Sequence, residues 1–240
     1  MKLAVISDIH GNCLALEAVL ADIRLQGADM VVNLGDLVAG PLEPARTADL
    51  LMEGDFPTIK GNHERWVMEA RAEARGAIDT FATSRIDDKH LSWIESLPPT
   101  LVLEDQVFLC HGTPKDDTAP WLDNWWSGRD TTLPDHDEVA AQAEGLNFPV
   151  MLCGHTHLAR AVRLKDGRLI VNPGAVGLQI VHGSPDARYA ILENLYDEWR
   201  VSLRSVPYDH QGAARQARDN GFDAWSDALL TGWSQPEGLF

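Results

Sequence analysis

Apolar positions near the start of the chain fall into short unbroken runs, separated by stretches with a helical rhythm. Leu3 to Ile6 reads as a buried parallel strand. Asn12 then offers a helix N-cap, Leu16, Val19, Leu20 and Ile23 make an i, i+3, i+4, i+7 stripe, and Gly27 ends it. Met30 to Leu34 predicts a second strand, Pro44 to about Glu53 a second helix, and Phe56 to Lys60 a third strand. Strand, helix, strand in repetition is the pattern of a parallel α/β layer. The Ala, Arg and Glu rich stretch ending at Arg75 and the segment Asp88 to Ser96 read as helices, before Pro98-Pro99 breaks the pattern.

From Thr100 the rhythm changes to hairpins. Leu101 to Leu103 and Val107 to Leu109 flank Glu104-Asp105, and Ala161 to Leu164 and Leu169 to Val171 flank Lys165-Asp166-Gly167. Arg188 to Leu192 and Trp199 to Val206 predict one more hairpin, placed in a second sheet packed on the first. Burying every apolar face then requires an α/β fold with four layers, an αββα sandwich of two mixed sheets face to face with helices outside. One domain over 1–240 is the simplest count, with two segments outside its rhythm. Lys115 to Pro134, rich in Asp, Gly, Pro and Trp, is expected to be a lid-like functional loop, in which Trp121, Trp125 and Trp126 are either core aromatics or a platform for a base. The tail from Gly221 carries Trp225 and Trp233 and is expected either to dock as a short helix or to reach a second copy of the chain in a homo-oligomer.

Charge narrows the partners. The chain has 20 basic and 36 acidic residues and a formal net charge of −16. A surface of that sign repels polyanions, so nucleic acid polymers are not expected, whereas a small phosphorylated substrate can be held by a local group of cations. No apolar run approaches a membrane span and no basic-then-apolar leader follows Met1, so no membrane partner and a cytoplasmic location are expected. Cys13, Cys110 and Cys153 are an odd number without Cys-x-x-Cys spacing and read as small buried hydrophobes.

Candidate chemistry sits where the strands end. Asp8 and His10 follow the first strand two residues apart, a spacing that on extended backbone turns both side chains to one side. Alone, the pair is as compatible with a helix cap and a buried, satisfied histidine. The same grammar recurs in Gly35-Asp36, Gly61-Asn62-His63-Glu64, His111-Gly112 and Gly154-His155-Thr156-His157. Ligands of open α/β sheets bind outside the carboxyl ends of the strands, so five such ends carrying Asp, Asn and His predict one shared site. Lys60 and Arg65 flank the His63 loop, and His90, His136, His182 and His210 lie outside every motif.

Together these motifs resemble the calcineurin-like metallophosphoesterases, in order and in spacing, from Lys2 to about Gly177 and including Asn172-Pro173-Gly174. The resemblance implies two divalent or trivalent transition-metal ions, manganese foremost and iron, zinc, cobalt or nickel as alternatives. It places Asp8, His10, Asp36 and His157 on one ion and Asp36, Asn62, His111 and His155 on the other, with Asp36 bridging. His63 is then the expected general acid, or else a phosphate clamp, and Glu64 orients His63 or caps the following helix. Ser7 to Asn12 and Gly61 to Glu64 are also similar to the branch of phosphoprotein phosphatases and dinucleoside tetraphosphate hydrolases. That branch has Asp-Arg-Gly, its arginine holding phosphate, where this chain has Leu37-Val38-Ala39-Gly40-Pro41, a departure that counts against a protein phosphatase. The expected function is hydrolysis of a small phosphodiester or nucleotide, the alternatives being a protein phosphatase, a dinucleoside polyphosphate hydrolase, or a scaffold that binds metal without catalysis.

Overall fold

A computed structural model of the chain describes residues 1–69, 75–123, 131–180, 182–196 and 198–233. β1 (Lys2–Ile6) and β2 (Met30–Asn33) pair in parallel, with α1 (Cys13–Gln26) as the crossover between them. The local signals act as their chemistry predicts: Asn12 Oδ1 accepts from the Ala15 amide at 3.1 Å, and Gly27 closes the helix in the left-handed conformation.

The hairpin of β8 (Ala187–Leu195) and β9 (Glu198–Val206) does not found the second sheet. It extends the first, which runs β2-β1-β8-β9 with β8 antiparallel to β1. Ala190 and Leu192 face one layer of the core while Ala187, Tyr189 and Ile191 face another. A strand apolar on both faces needs an interior place, and periodicity does not say in which sheet. The second sheet holds β3 (Leu101–Leu103), β4 (Val107–Leu109), β5 (Val150–Leu152), β6 (Arg160–Arg163) and β7 (Leu169–Asn172) in the order β3-β4-β5-β7-β6. β4, β5 and β7 are parallel, and the β3-β4 and β6-β7 hairpins are antiparallel. The expected strand at Phe56 to Lys60 is reduced to a single bridge between Thr58 and Asn33. Pro57 has no N–H to donate, and the Lys60 amide turns instead to the Pro98 carbonyl at 2.9 Å.

Leu3, Val5, Val32, Ala190 and Leu192 meet Val107, Leu109, Val150, Leu152 and Val171 between the sheets. On the outer face of the first sheet, Ala4, Ile6, Tyr189 and Ile191 pack under α1, α2 (Pro44–Gly54) and α5 (Asp88–Ser96). Outside the second, Phe108, Met151 and Ile170 pack under α6 (His136–Gln142). The layers are therefore αββα, as the pattern predicts. α3 (Asn62–Glu69) begins the Ala, Arg and Glu rich stretch, and α4 (Ala77–Thr83) follows it.

The tail docks as helix. α7 (His210–Asp219) and α8 (Asp223–Thr231) pack on each other and bury Trp225 among Leu178, Ile180 and Leu229, while Trp233 is exposed beside Gly183. α7 buries only alanines and a glycine, which give a weak hydrophobic stripe and hid it in the sequence. Of the two roles expected for Trp121, the structure shows the core one: it is 3% exposed, packs with Leu122 and Val139, and donates from Nε1 to the Val139 carbonyl at 3.0 Å. Trp125 and Trp126 lie outside the described residues. No helix among the described residues is long and apolar enough to cross a membrane.

Trp121→Ala is expected to cost about 3 to 5 kcal/mol of stability, the range for emptying a buried aromatic site. Urea unfolding checks this, and an unchanged midpoint would return Trp121 to the surface.

Candidate metal centre

Every candidate ligand except Asn62 lies just beyond a strand of the parallel layers. Asp8 and His10 follow β1, Asp36 follows β2, Asn62 and His63 open α3, His111 follows β4, and His155 and His157 follow β5. All eight side chains are buried. Asp8, His10, Asp36, His155 and His157 have φ of 54°, 50°, 53°, 67° and 60°. The convergence of Asp8 and His10 thus comes from two left-handed residues and not from strand alternation, a correction to the extended-backbone reading. Each such residue costs on the order of 1 to 3 kcal/mol, so the surrounding structure must over-determine it.

Backbone bonds supply that determination. The Asp8 amide donates to the Gly35 carbonyl at 3.0 Å, and the Ile9 and His10 amides share the Asp36 carbonyl at 2.8 and 3.0 Å. Glu64 fixes the third loop to the second: its carboxylate accepts from the Asp36, Leu37 and Gly61 amides at 2.8, 2.8 and 2.9 Å. Burial and the nearby Asp36 carboxylate push the Glu64 carboxyl up, against the pull of these amides. Glu64 is thus a staple between loops, which the sequence reading placed only as a partner of His63 or a cap. At Gly61 a Cβ would fall on the Asp36 carboxylate, so the close approach of these loops needs glycine there.

The ligand-type atoms form overlapping groups, Asp8 with His10 and His157, His10 with Asp36 and His63, and Asp36 with His111 and His155, each within 4.8 Å. Asp36 belongs to two of them. His10 Nε2 stands 3.1 Å from His157 Nε2, which is 3.6 Å from Asp8 Oδ1. On the other side, His111 Nε2 is 3.1 Å from Asp36 Oδ2 and 3.0 Å from Asn62 Oδ1, itself 3.0 Å from His155 Nδ1.

Three histidines are oriented by carbonyls on their far nitrogen. His10 Nδ1 donates to Ala39 O at 2.7 Å, His111 Nδ1 to Leu34 O at 2.8 Å and His157 Nδ1 to Leu178 O at 2.8 Å. A neutral ring so held turns its Nε2 lone pair inward. His10 is neutral, since burial and then the neighbouring His157 hold its pKa well below the ordinary value. Burial, then His111, lowers His155 to about 3. The two Nε2 atoms 3.1 Å apart, with carboxylates beside them, need a positive charge between them, either a shared proton or a cation. Ligand atoms about 2.0 to 2.2 Å from one ion stand roughly 3 to 3.6 Å apart, which matches these spacings. The donor set of carboxylate, amide and imidazole without thiolate suits first-row transition metals. Cys110 and Cys153 are buried in the layer outside the second sheet, their thiols pushed up by burial, and belong to no ligand group among the described residues.

A model of the calcineurin-like phosphoesterase superfamily domain matches residues 1–195, which include every residue of the cluster. The chain belongs to the calcineurin-like phosphoesterase superfamily. It is similar to a metallophosphoesterase of known structure from Sphaerobacter thermophilus, at 27% identity and a TM-score of 0.77 over 97% of this chain and 99% of that one. A hypothetical protein from Pyrococcus horikoshii shares the fold, with 17% identity and a TM-score of 0.78 over 98% and 99% of the two chains. An uncharacterised protein of Methanocaldococcus jannaschii is 27% identical over 93% of this chain and 94% of its own length. The superfamily hydrolyses phosphoesters, and this phosphoesterase carries acidic and imidazole groups that can hold its metal.

Beside the ligand groups, His63 Nδ1 meets Asp79 Oδ1 of α4 at 2.7 Å, both buried. Burial opposes charging His63, but the Asp36 and Asp79 carboxylates outweigh it and raise its pKa. The Trp225 ring packs edge-on against His10 at 5.8 Å, and His182 Nε2 reaches the His157 carbonyl at 3.1 Å. Neither Asp79 nor Trp225 nor His182 carries a motif, and the sequence reading assigned none of them to the site. Asn172 holds the histidine turn, donating to Gly154 O at 2.7 Å and Thr156 Oγ1 at 3.1 Å. Thr156 in turn donates to Asp123 Oδ2 at 3.0 Å. Arg65 is taken up by Asp117 at 2.7 and 2.6 Å, and Lys60 by the Glu95 carbonyl.

Burial pushes the Asp123 carboxyl from 3.8 up to about 6, despite the Thr156 hydroxyl and the Arg160 charge. A folded-state pKa above the unfolded one favours folding at low pH, and that advantage is lost as pH rises through about 6. Asp123→Asn is therefore expected to gain about 2 kcal/mol over wild type on going from about pH 4 to pH 7.5. Paired urea titrations read this difference, and parallel pH profiles for the two proteins would contradict it.

Proposed function

We propose that the protein is a dinuclear metal-dependent phosphoesterase acting on a small phosphodiester or nucleotide. The observation that carries this reading is the position of Asp36, shared between one group with His10 and another with His111 and His155. Asp8, His10, Asp36 and His157 would hold one ion, and Asp36, Asn62, His111 and His155 the other. When bound, such a pair supplies Lewis-acid polarisation of phosphoryl oxygens and a water acidified into the neutral range.

The chain's own residues do the rest. Asp79 fixes the Nδ1 proton of His63, so the ring presents Nε2–H as an acid to the departing oxygen, and the carboxylates that raise its pKa favour the protonated form. Asp36 also accepts from the His63 amide at 3.1 Å, tying the acid to the shared ligand. The buried site excludes bulk water and strengthens both interactions. Leu37, Val38 and Ala39 are buried in apolar clusters where a phosphatase arginine would stand, which supports a small substrate over a phosphoprotein. A non-catalytic scaffold is disfavoured because His63 is present and oriented by Asp79.

The test is hydrolysis of a panel of aryl phosphodiesters, monoesters and nucleotides with added Mn²⁺. Chelation is expected to abolish turnover and Mn²⁺ to restore it, while Asp36→Asn loses most activity together with bound metal; full turnover in either case sinks the dinuclear reading. His63→Asn is expected to keep both metals and lower kcat by about 10²- to 10⁴-fold on substrates with poor leaving groups. A wild-type kcat there removes His63 from the mechanism.

A further inference from the structure

Five arginines pair with carboxylates among the described residues and others reach carbonyls, as Arg75, whose Nε is also without a partner, does at Val67 O (2.7 Å); Arg188 does neither. Arg46 pairs with Glu17 and Glu43, Arg65 with Asp117, Arg168 with Asp166, Arg200 with Glu198 and Arg204 with Asp22. In a chain with 36 acidic and 20 basic residues, acceptors are plentiful. Arg188 is half-buried, and its buried Nε has no hydrogen-bond partner and its guanidinium no carboxylate among the described residues. The acid nearest in sequence, Asp186, is already bonded to the Ser205 hydroxyl at 2.9 Å. A buried N–H without an acceptor is costly, so its persistence asks for an acceptor that arrives from outside.

Its place in the fold says where that acceptor comes from. Alternation along β8 puts Arg188 on the inter-sheet side with Ala190 and Leu192, and opposite Tyr189. Val5 pairs with Ala190 in antiparallel register, so Arg188 stands at the end of the apolar layer that opens toward Asp8. A Cβ on Gly174 would lie 2.8 Å from Arg188 Cβ and 3.1 Å from Ala159 Cβ, two residues beyond His157. The Arg188 amide donates to Ala175 O at 2.8 Å, and the next residues of that segment donate to the Ser7 and Asp8 carbonyls at 2.9 Å. His182, bonded to the His157 carbonyl, lies within the field of the Arg188 charge.

We propose that Arg188 is an oxyanion-binding residue of the site, whose guanidinium takes non-bridging oxygens of a phosphoryl group entering from the side of β7 and β8. This rests on the phosphoesterase reading for its substrate. A guanidinium fork donates to two oxygens of a tetrahedral anion in one plane.

Inorganic phosphate is the probe, applied to metal-free and Mn²⁺-loaded protein with chloride and acetate at equal ionic strength as controls. Phosphate is expected to raise the Tm of wild type in both states, and Arg188→Met to lose at least half of the shift in the metal-free state. Without phosphate the variant should melt at or above the wild-type temperature, because a donor lacking an acceptor has been removed. Its KM for an aryl phosphodiester should rise about tenfold or more, with kcat within about twofold, the loss of one charged hydrogen-bond pair. Bound Mn²⁺ should be unchanged, and Arg188→Lys should fall between the two proteins. A lower Tm with unchanged KM and phosphate shift would make Arg188 structural and overturn the proposal, as would an equal response to acetate. Wild type that hydrolyses no phosphoester would defeat the phosphoesterase reading, while the metal-free phosphate shift still decides Arg188.

Discussion

Like-signed electron density confined in a protein interior is the constraint around which the molecule is arranged. Imidazole nitrogens 3.1 Å apart, the Asp8 and Asp36 carboxylates, and the Asn62 amide oxygen crowd a volume that water does not screen. In a low-dielectric interior such a set is tolerated only if positive charge enters it. Without metal, that charge is protonic: burial opposes it at His111, yet Asp36 and Asp8 push that histidine up to about 10. A metal ion entering there would therefore displace that proton in one coupled exchange.

The backbone bears the cost of this crowding. Five candidate ligand residues sit in left-handed conformations, and the bonds that hold them are made by the opposing loops and not by the strands that deliver them. The sheets set the loops at one end of the sandwich, and Glu64 and Asn172 lock them there. Strand ends, staples and ligands form a hierarchy in which each level fixes the freedom left by the one above.

Much of this was legible because it is written in short-range chemistry. The Asn12 cap, the Gly27 stop, the Glu104-Asp105 turn and the recurrence of Asp, Asn and His after apolar runs are local signals, and they locate the candidate ligands and most strands. What was hidden depends on pairing at a distance. Phe56 to Lys60 has the composition of a strand, but Pro57 and the pull of Pro98 deny it a ladder. The β8-β9 hairpin declares itself without declaring its sheet. Asp79 lies on a short helix with no motif, Trp225 on a tail that looked unattached, and Trp121 in a stretch whose composition resembles a loop, so tertiary packing alone assigns them.

The pairing of β1 with β8 has a consequence for biosynthesis. Lys2 pairs with Glu193, so β1 leaves the ribosome well before β8 and finds one of its two neighbours only when β8 has followed it. At roughly 5 to 20 residues per second that wait is about 10 to 40 s, and closing so long a loop makes the pairing slow in its own right. Asp8 and His10 are translated early and fixed late. A nascent chain that captured a metal ion through that pair alone would hold it with an incomplete set of ligands, so faithful loading belongs to the finished chain.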